Sequence, residues 1–361
     1  GWKLAHPAKI IDTFKIGKEQ GVIFLTTLIV TISIGLIEGI LSGILATALI
    51  HLIINKSLVH FFRNILKPNV LMFKERETNN YYVSVKNFCT FLNFAKLKRK
   101  LDTIPETEEA IIDFSLCDFV DHTVMESMAD YKDIFRKKGG NLEIIGLDLL
   151  DAGSKHPFGL RRMLPVKKVL ESTGVLTNRQ ELIKTIAKEL DYSYTVRKKI
   201  ETEYLENFIY FKTKTINHTY NEIGKKDTVF KAFDVEFYEG EFIAKEVVRA
   251  TMFYTELDHI LPVFSIHREG FLELIYHYAG FTDIKIEKEP EFSKKFYIKG
   301  EDHLAIQQLI TPELAQFFLQ NPTFHIESNG YALLIFTKER LAGTNEIKKM
   351  KIFANELKKL V

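Results

Sequence analysis

Hydrophobic and polar positions divide the chain unevenly. Residues 21–54 read GVIFLTTLIVTISIGLIEGILSGILATALIHLII, with one acidic residue, Glu38, and no Lys or Arg. As a single helix this run would measure about 50 Å at ~1.5 Å per residue, far more than a hydrocarbon core of about 30 Å. It is therefore predicted to form two short helices of about 15–18 residues around a tight turn near Gly35–Gly39. Arms that short fit inside a larger membrane protein better than alone in lipid. Lys3, His6, Lys9, Lys15 and Lys18 precede the run, and Lys56, His60, Arg63 and Lys67 follow it. Basic flanks on both sides place both ends of the hairpin on the cytoplasmic side. Gly35, Gly39 and Gly43 recur every four residues and on a helix would line one stripe for close helix packing, unless Gly35 is simply the turn. Glu38 sits beside the turn, where an interfacial position is favoured over an ion pathway.

Beyond the apolar run the period changes. Residues 55–67 (NKSLVHFFRNILK) form a basic amphipathic segment suited to the membrane interface, and 68–80 read as a polar linker. YYVSV from Tyr81 alternates like a strand. Residues 94–103 have helical spacing, 110–115 (AIIDFS) read as a strand, and 122–138 read as a helix with Val124, Met128, Tyr131 and Phe135 near one face. Gly139-Gly140 stops that helix, and 141–147 form the next strand. Strand–helix–strand–helix–strand implies an α/β sheet with parallel crossovers. Residues 148–178 are loop-rich and 179–190 are helical. Strand-like stretches follow at 207–217, 229–239, 243–255, 294–299, 324–328 and 331–337, with helices at 269–278, 302–309, 312–320 and 345–360. Glu239-Gly240 and Asn329-Gly330 are the turn signals. The expected fold is multidomain: a short transmembrane helical hairpin with its interfacial segment (1–67), a linker (68–80), an α/β domain with its sheet flanked by helices (81–178), a helical connector (179–204) and a separate α+β domain (205–361).

Composition adds limits. A length of 361 residues allows two or three domains, and 46% hydrophobic with 27% charged residues describes ordinary globular protein after residue 60. Net charge is +2, which favours no polyanionic partner. Cys89 and Cys117 have no ligand spacing and read as free thiols in a reducing compartment. No phosphate-cradling, dinucleotide, zinc-protease or C-x-x-C motif is present in the sequence. His259 and His267 lack a third ligand, Asp113 and Ser115 lack a base, and KLKRK (96–100) reads as a solvated face. The chain is thus expected to be no enzyme, with no catalytic, cofactor or metal residues and no nucleic-acid partner. The first residue is Gly1, and the apolar block is too long for a signal peptide. The chain therefore reads as the back end of a longer membrane protein.

Two segments carry a family resemblance. FLNFAKLKRKL (91–101) resembles the opening of the first helix of a STAS domain, and residues 110–147 resemble that domain's centre. With a glycine-rich hairpin directly before them, residues 10–150 or so look like the carboxyl end of a SulP-type inorganic anion transporter. The resemblance implies the regulatory and assembly portion, plus the final membrane helices, of a secondary transporter of the sulfate or bicarbonate class. It further implies a homodimer in the bacterial inner membrane, with residues 68–361 in the cytoplasm and the anion site in an earlier core. A protein partner would bind through the STAS or terminal domain. In related anti-sigma-factor antagonists a serine directly after the loop aspartate is phosphorylated; here His122 follows Asp121, and Thr123 comes next. Asp121 and Thr123 are therefore expected to cap the helix, with a bound anion or nucleotide at Asp121, His122 and Thr123 as the alternative. Residues 150–165 depart from the family pattern. There His156, Arg161 and Arg162 form a basic loop for lipid headgroups or an acidic partner, or a solvated connector. Another reading of the whole is a membrane-anchored STAS interaction module that transports nothing. A catalytic 205–361 block would need Glu256, Asp258, His259 and His267 to converge on a pocket.

Overall fold

The computed structural model describes residues 7–55, 70–75, 79–163, 176–224, 230–239, 246–268 and 284–361. The predicted interfacial segment beyond Asn55, the helix at 269–278 and the Glu239-Gly240 turn lie outside the described residues. The chain forms two compact units, residues 1–177 and 178–361.

The first unit opens with α1 (Pro7–Ile16), α2 (Lys18–Ser33) and α3 (Leu36–Asn55). The chain turns at Ile34 and Gly35, as the length of the apolar run demands. Among the described residues, Leu36–Ile54 is long and apolar enough to cross a membrane, with a mean hydropathy of 2.0 and only 17% of the window buried. Ile29, Ile32, Leu36, Ile37, Leu41 and Ile53 all face outward. An exposed apolar surface of that extent marks a lipid or protein contact.

The sheet of this unit runs β1 (Val70–Lys74), β2 (Tyr81–Cys89), β3 (Glu109–Val120), with β4 (Asn141–Ile145) also on β3. β2 and β4 are both parallel to β3, so α4 (Phe94–Leu101) and α5 (His122–Lys138) are the crossovers that parallel pairing requires. Leu97 and Leu101 of α4 and Val124, Met128 and Phe135 of α5 join Val83, Ile112 and Phe114 in one core. α5 spans the predicted residues and ends at Gly139, whose φ of 89° suits a residue without a Cβ. The linker expectation over 68–80 needs correction. Val70–Lys74 is a strand, antiparallel to β2, whose Val70 and Met72 pack on the core while Leu71 and Phe73 face outward. After β4 comes a single 3-10 turn (Leu147–Leu149). Two-residue strands follow, β5 (Asp151–Ala152) and β6 (Arg161–Arg162), and β6 pairs with the end of β3.

The second unit is built on one eight-stranded sheet. Its order is β12 (Phe296–Gly300), β11 (Phe264–Arg268), β13 (His325–Ser328), β14 (Ala332–Phe336), β10 (Glu246–Glu256), β9 (Phe230–Glu239), β8 (Thr215–Gly224), β7 (Ser193–Thr195), and every neighbouring pair is antiparallel. Both faces are covered. On one lie α6 (Asn178–Glu189), α10 (Pro312–Gln320) and α11 (Thr344–Leu360), with Ile183, Phe318 and Met350 against Phe253 and Ile335; the short helices α7 (Glu203–Glu206), α8 (Pro290–Lys295) and α9 (His303–Leu309) come between α6 and α10 in the chain. On the other, Leu205, Phe208 and Tyr210 meet Phe233, Phe237 and Phe336. α6 therefore belongs to this core, which corrects the expectation of a connector over 179–204. The expected strand at 207–217 is also corrected. Ile209–Phe211 is a 3-10 turn and the strand begins at Thr215. The run is apolar on every side because the turn is wholly buried, so it carried no period to read. The Asn329-Gly330 hairpin forms, but Gly330 (φ 98°) and Tyr331 are its central pair. Asn329 Oδ1 accepts from Tyr331 N (3.0 Å) and Ala332 N (2.8 Å).

Candidate functional site

The predicted loop residues gather at the carboxyl ends of β2 and β3, where α4 and α5 begin. Asp121 is buried and caps α5: Oδ1 accepts from Val124 N at 3.0 Å. Its Oδ2 accepts from Phe91 N at 2.7 Å, so one carboxylate ties two strand–helix junctions together. Asn93, of the F-x-N stretch, closes the neighbouring turn: Oδ1 accepts from Thr90 N (2.8 Å) and Nδ2 donates to Phe88 O (2.9 Å). Burial pushes the Asp121 carboxyl up to about 6, although the Phe91 and Val124 N–H groups oppose the shift. The nearby Cys89 thiol is pushed far above its ordinary range by burial and by the Asp121 charge. His122 faces away from the cap. Its Nδ1 lies 3.1 Å from Phe158 O, and its Nε2 lies 3.6 Å from Glu126. Thr123 O accepts from Ser127 Oγ at 2.7 Å, and the side-chain cap is made by Asp121.

The basic loop splits. His156 is half-buried and its Nδ1 accepts from Phe158 N at 3.1 Å, while Ser154 Oγ donates to Ile16 O at the end of α1. Arg161 is 4% exposed, and burial lowers its pKa despite Asp148 and Asp151. Its side chain is thus enclosed within the first unit, which differs from the exposed loop position expected of it. Arg162 is exposed.

His51 was not legible as a site residue. It is buried in the last turns of α3, edge-on to Phe119 (centroids 5.0 Å) and Phe91 (6.4 Å). Leu52 and Ile54 join Phe88, Phe119 and Leu160 in a small cluster. The apolar helix thus seats on the strand ends that lead into the Asp121 loop. The one available cue was a polar residue late in an apolar helix. In the hairpin, a Cβ on Gly39 would collide with Thr31 and one on Gly43 with Thr27, so these two glycines let α2 and α3 approach. Gly35 is the turn, and a Cβ there would meet Glu38. Glu38 itself is exposed in the first turn of α3, where a carboxylate complements the helix dipole.

In the second unit the conditional catalytic set does not converge: Glu256, Asp258 and His259 are exposed and His267 is buried. His267 stacks on His325, whose Nε2 lies 3.0 Å from Glu327 Oε1. Glu327 Oε2 also accepts from Tyr210 N at 2.8 Å. The densest polar group surrounds Asp234. It takes Arg179 through two bonds (2.6 and 2.9 Å), Thr251 Oγ1 (2.5 Å) and Asn221 Nδ2 (2.9 Å). Asn221 sits at an irregularity of β8 with φ 50°, a bulge geometry that re-aims a side chain. In the first unit Asp113 is likewise enclosed, with Tyr82 Oη donating to Oδ2 and Ser115 N to Oδ1 (2.7 Å). Among the described residues no group of three or more His, Cys, Asp or Glu is placed to hold a metal ion.

No family model matches the chain, and no curated protein does. Solved structures similar to parts of it include the following three. The mycobacterial trehalose monomycolate transport factor A, TtfA, is 10% identical over 50% of this chain and 93% of its own, with a TM-score of 0.35. The STAS domain of an antisigma-factor antagonist from Rhodobacter sphaeroides is 13% identical over 24% of this chain and 95% of its own, with a TM-score of 0.19. A structure titled as Mglu is 15% identical over 20% of this chain and 18% of its own, with a TM-score of 0.18.

Proposed function

We propose that the chain is the membrane-seated, non-catalytic regulatory portion of a SulP-type inorganic anion transporter, the reading that its sequence resemblance implies. The supporting observation is the seating of His51, Leu52 and Ile54 on Phe88 and Phe119. A shift of α3 would press directly on the strand ends whose loops Asp121 ties together. Hairpin length also favours a place among other helices. α2 has 16 residues, about 24 Å at ~1.5 Å per residue, which falls short of a full span. On this reading residues 68–361 lie in the cytoplasm, the functional unit is a homodimer, and the anion site lies outside these residues. The second reading is an anchored interaction module that moves no anion. It is favoured by α3, whose 20 residues span about 30 Å on their own.

The test is reconstitution of residues 1–361 in liposomes. The expected result is no sulfate or bicarbonate flux, and His51→Leu should change hydrogen exchange at residues 89–93 and 121–125. Measured flux would overturn the absence of a transport site. Unchanged exchange would remove the coupling of helix to loop.

A further inference from the structure

Between α6 and α11, above β8–β10, the second unit holds a cavity of about 320 Å³. Ile223, Phe230 and Phe253 form its floor, and Ile186, Leu190 and Ile347 its walls. Phe230 and Phe253 meet edge-on with centroids 4.1 Å apart. Such an apolar lining with a few polar groups at the mouth is the usual make-up of a small-molecule pocket.

The two lysines at the mouth differ. Lys348 is paired with Glu189 at 3.4 Å across the helices. Lys351 is half-buried, with its ammonium 5.0 Å from the centre of the Tyr192 ring. Among the described residues no carboxylate lies within 4.0 Å of it. Burial holds its pKa below the ordinary lysine value. A cation at the lip of an apolar cavity gains most from an anionic head and repels a cationic one.

We infer that this cavity binds a medium-chain fatty carboxylate, with its alkyl chain on the Phe230–Phe253 floor and its carboxylate on Lys351. Size sets the chain length. A cavity of about 150 Å³ takes benzene, so this one has room for about a dozen heavy atoms, the size of decanoate. Two peptide residues with large apolar side chains would overfill it.

The test uses the full chain in lipid nanodiscs and a decanoate carrying a diazirine on its terminal carbon. Photolabel is expected on residues 186–190 and 347–355. Decanoate should compete it away at concentrations at least about tenfold lower than decanol or decyltrimethylammonium. Lys351→Met should weaken labelling by about tenfold and Lys351→Arg should restore most of it, since the charge-assisted contact is the difference. Lys348→Met should stay within about twofold, its charge already being paired. Ala232→Leu, which fills the floor and leaves Lys351 in place, should abolish the label. Label confined to residues 18–55, competition by decanol equal to that by decanoate, or wild-type labelling in Lys351→Met would each overturn the inference.

Discussion

The two units each bury an aspartate, and they satisfy it in different ways. Asp121 stands at a strand–helix junction and is held by backbone N–H groups of Phe91 and Val124. Asp234 lies within a sheet face and is held by Arg179, Thr251 and Asn221. Backbone donors bring no second charge into the interior, and the Val124 N–H is left without an intrahelical partner by the helix start in any case. A buried guanidinium brings its own desolvation cost and depends on its partner. The first arrangement joins two local turns beside the apolar helix α3. The second clamps α6 to the middle of a sheet and, through Arg179 Nε to Ala342 O at 3.1 Å, to the start of α11.

The largest expected effect follows from that dependence. Asp234→Ala should destabilise the second unit by about 3–5 kcal/mol, because the buried Arg179 loses the carboxylate that balances its charge. Denaturant unfolding measures it. Arg179→Leu with Asp234→Leu should recover most of the loss, and a double variant as unstable as the single one would remove the distinction between the two sites. Asp121→Ala loses a cap and a second acceptor, so about 2 kcal/mol is expected. The effect should appear as faster hydrogen exchange near Phe91 and Val124, with the second unit unaffected.

Acid separates the units next. The Asp121 carboxyl is raised from 3.8 to about 6 by burial, so its contribution is complete below pH 3.8 and is lost as pH rises through about 6. Burial lowers His267 to about 3 and His218 to about 4, from 6.5. Their contributions are complete above pH 6.5 and are lost as pH falls toward those values. Between pH 6 and 4 the two units should therefore respond with opposite sign, by up to about 1.4 kcal/mol per pH unit per group. Exchange rates corrected for intrinsic chemistry would read this unit by unit. Asp121→Asn should flatten the first response and His267→Phe should reduce the second. Smallest is the surface pair of Arg136 and Asp133, 2.9 Å apart and largely exposed, where Arg136→Ala should cost under about 0.5 kcal/mol in thermal melts.

Sequence and structure agree where the pattern is long and one-sided. The hairpin was readable because no single helix fits its length, and Gly35 lies where the chain must turn. Residues 122–138 became α5 as expected, since an apolar stripe, an aspartate cap and a terminal glycine all mark the same boundaries. The Asp121 cap was readable for the same reason: capping is local chemistry. Val70–Lys74 was not, because the stretch VLMFK is apolar on both of its faces and so carries no alternation to read.

By itself, then, the amino-acid order determined which stretches are apolar, how they repeat and where the backbone must bend or stop. Those are short-range facts, set by side-chain size, charge and conformational preference. Tertiary structure alone decided the partners. It placed His51 against Phe119, moved α6 into the second core, buried Arg161 while leaving Arg162 in solvent, and set Lys351 over an apolar cavity. Each of those outcomes depends on residues distant in sequence sharing one interior, where local periodicity names the face that is buried and not what buries it.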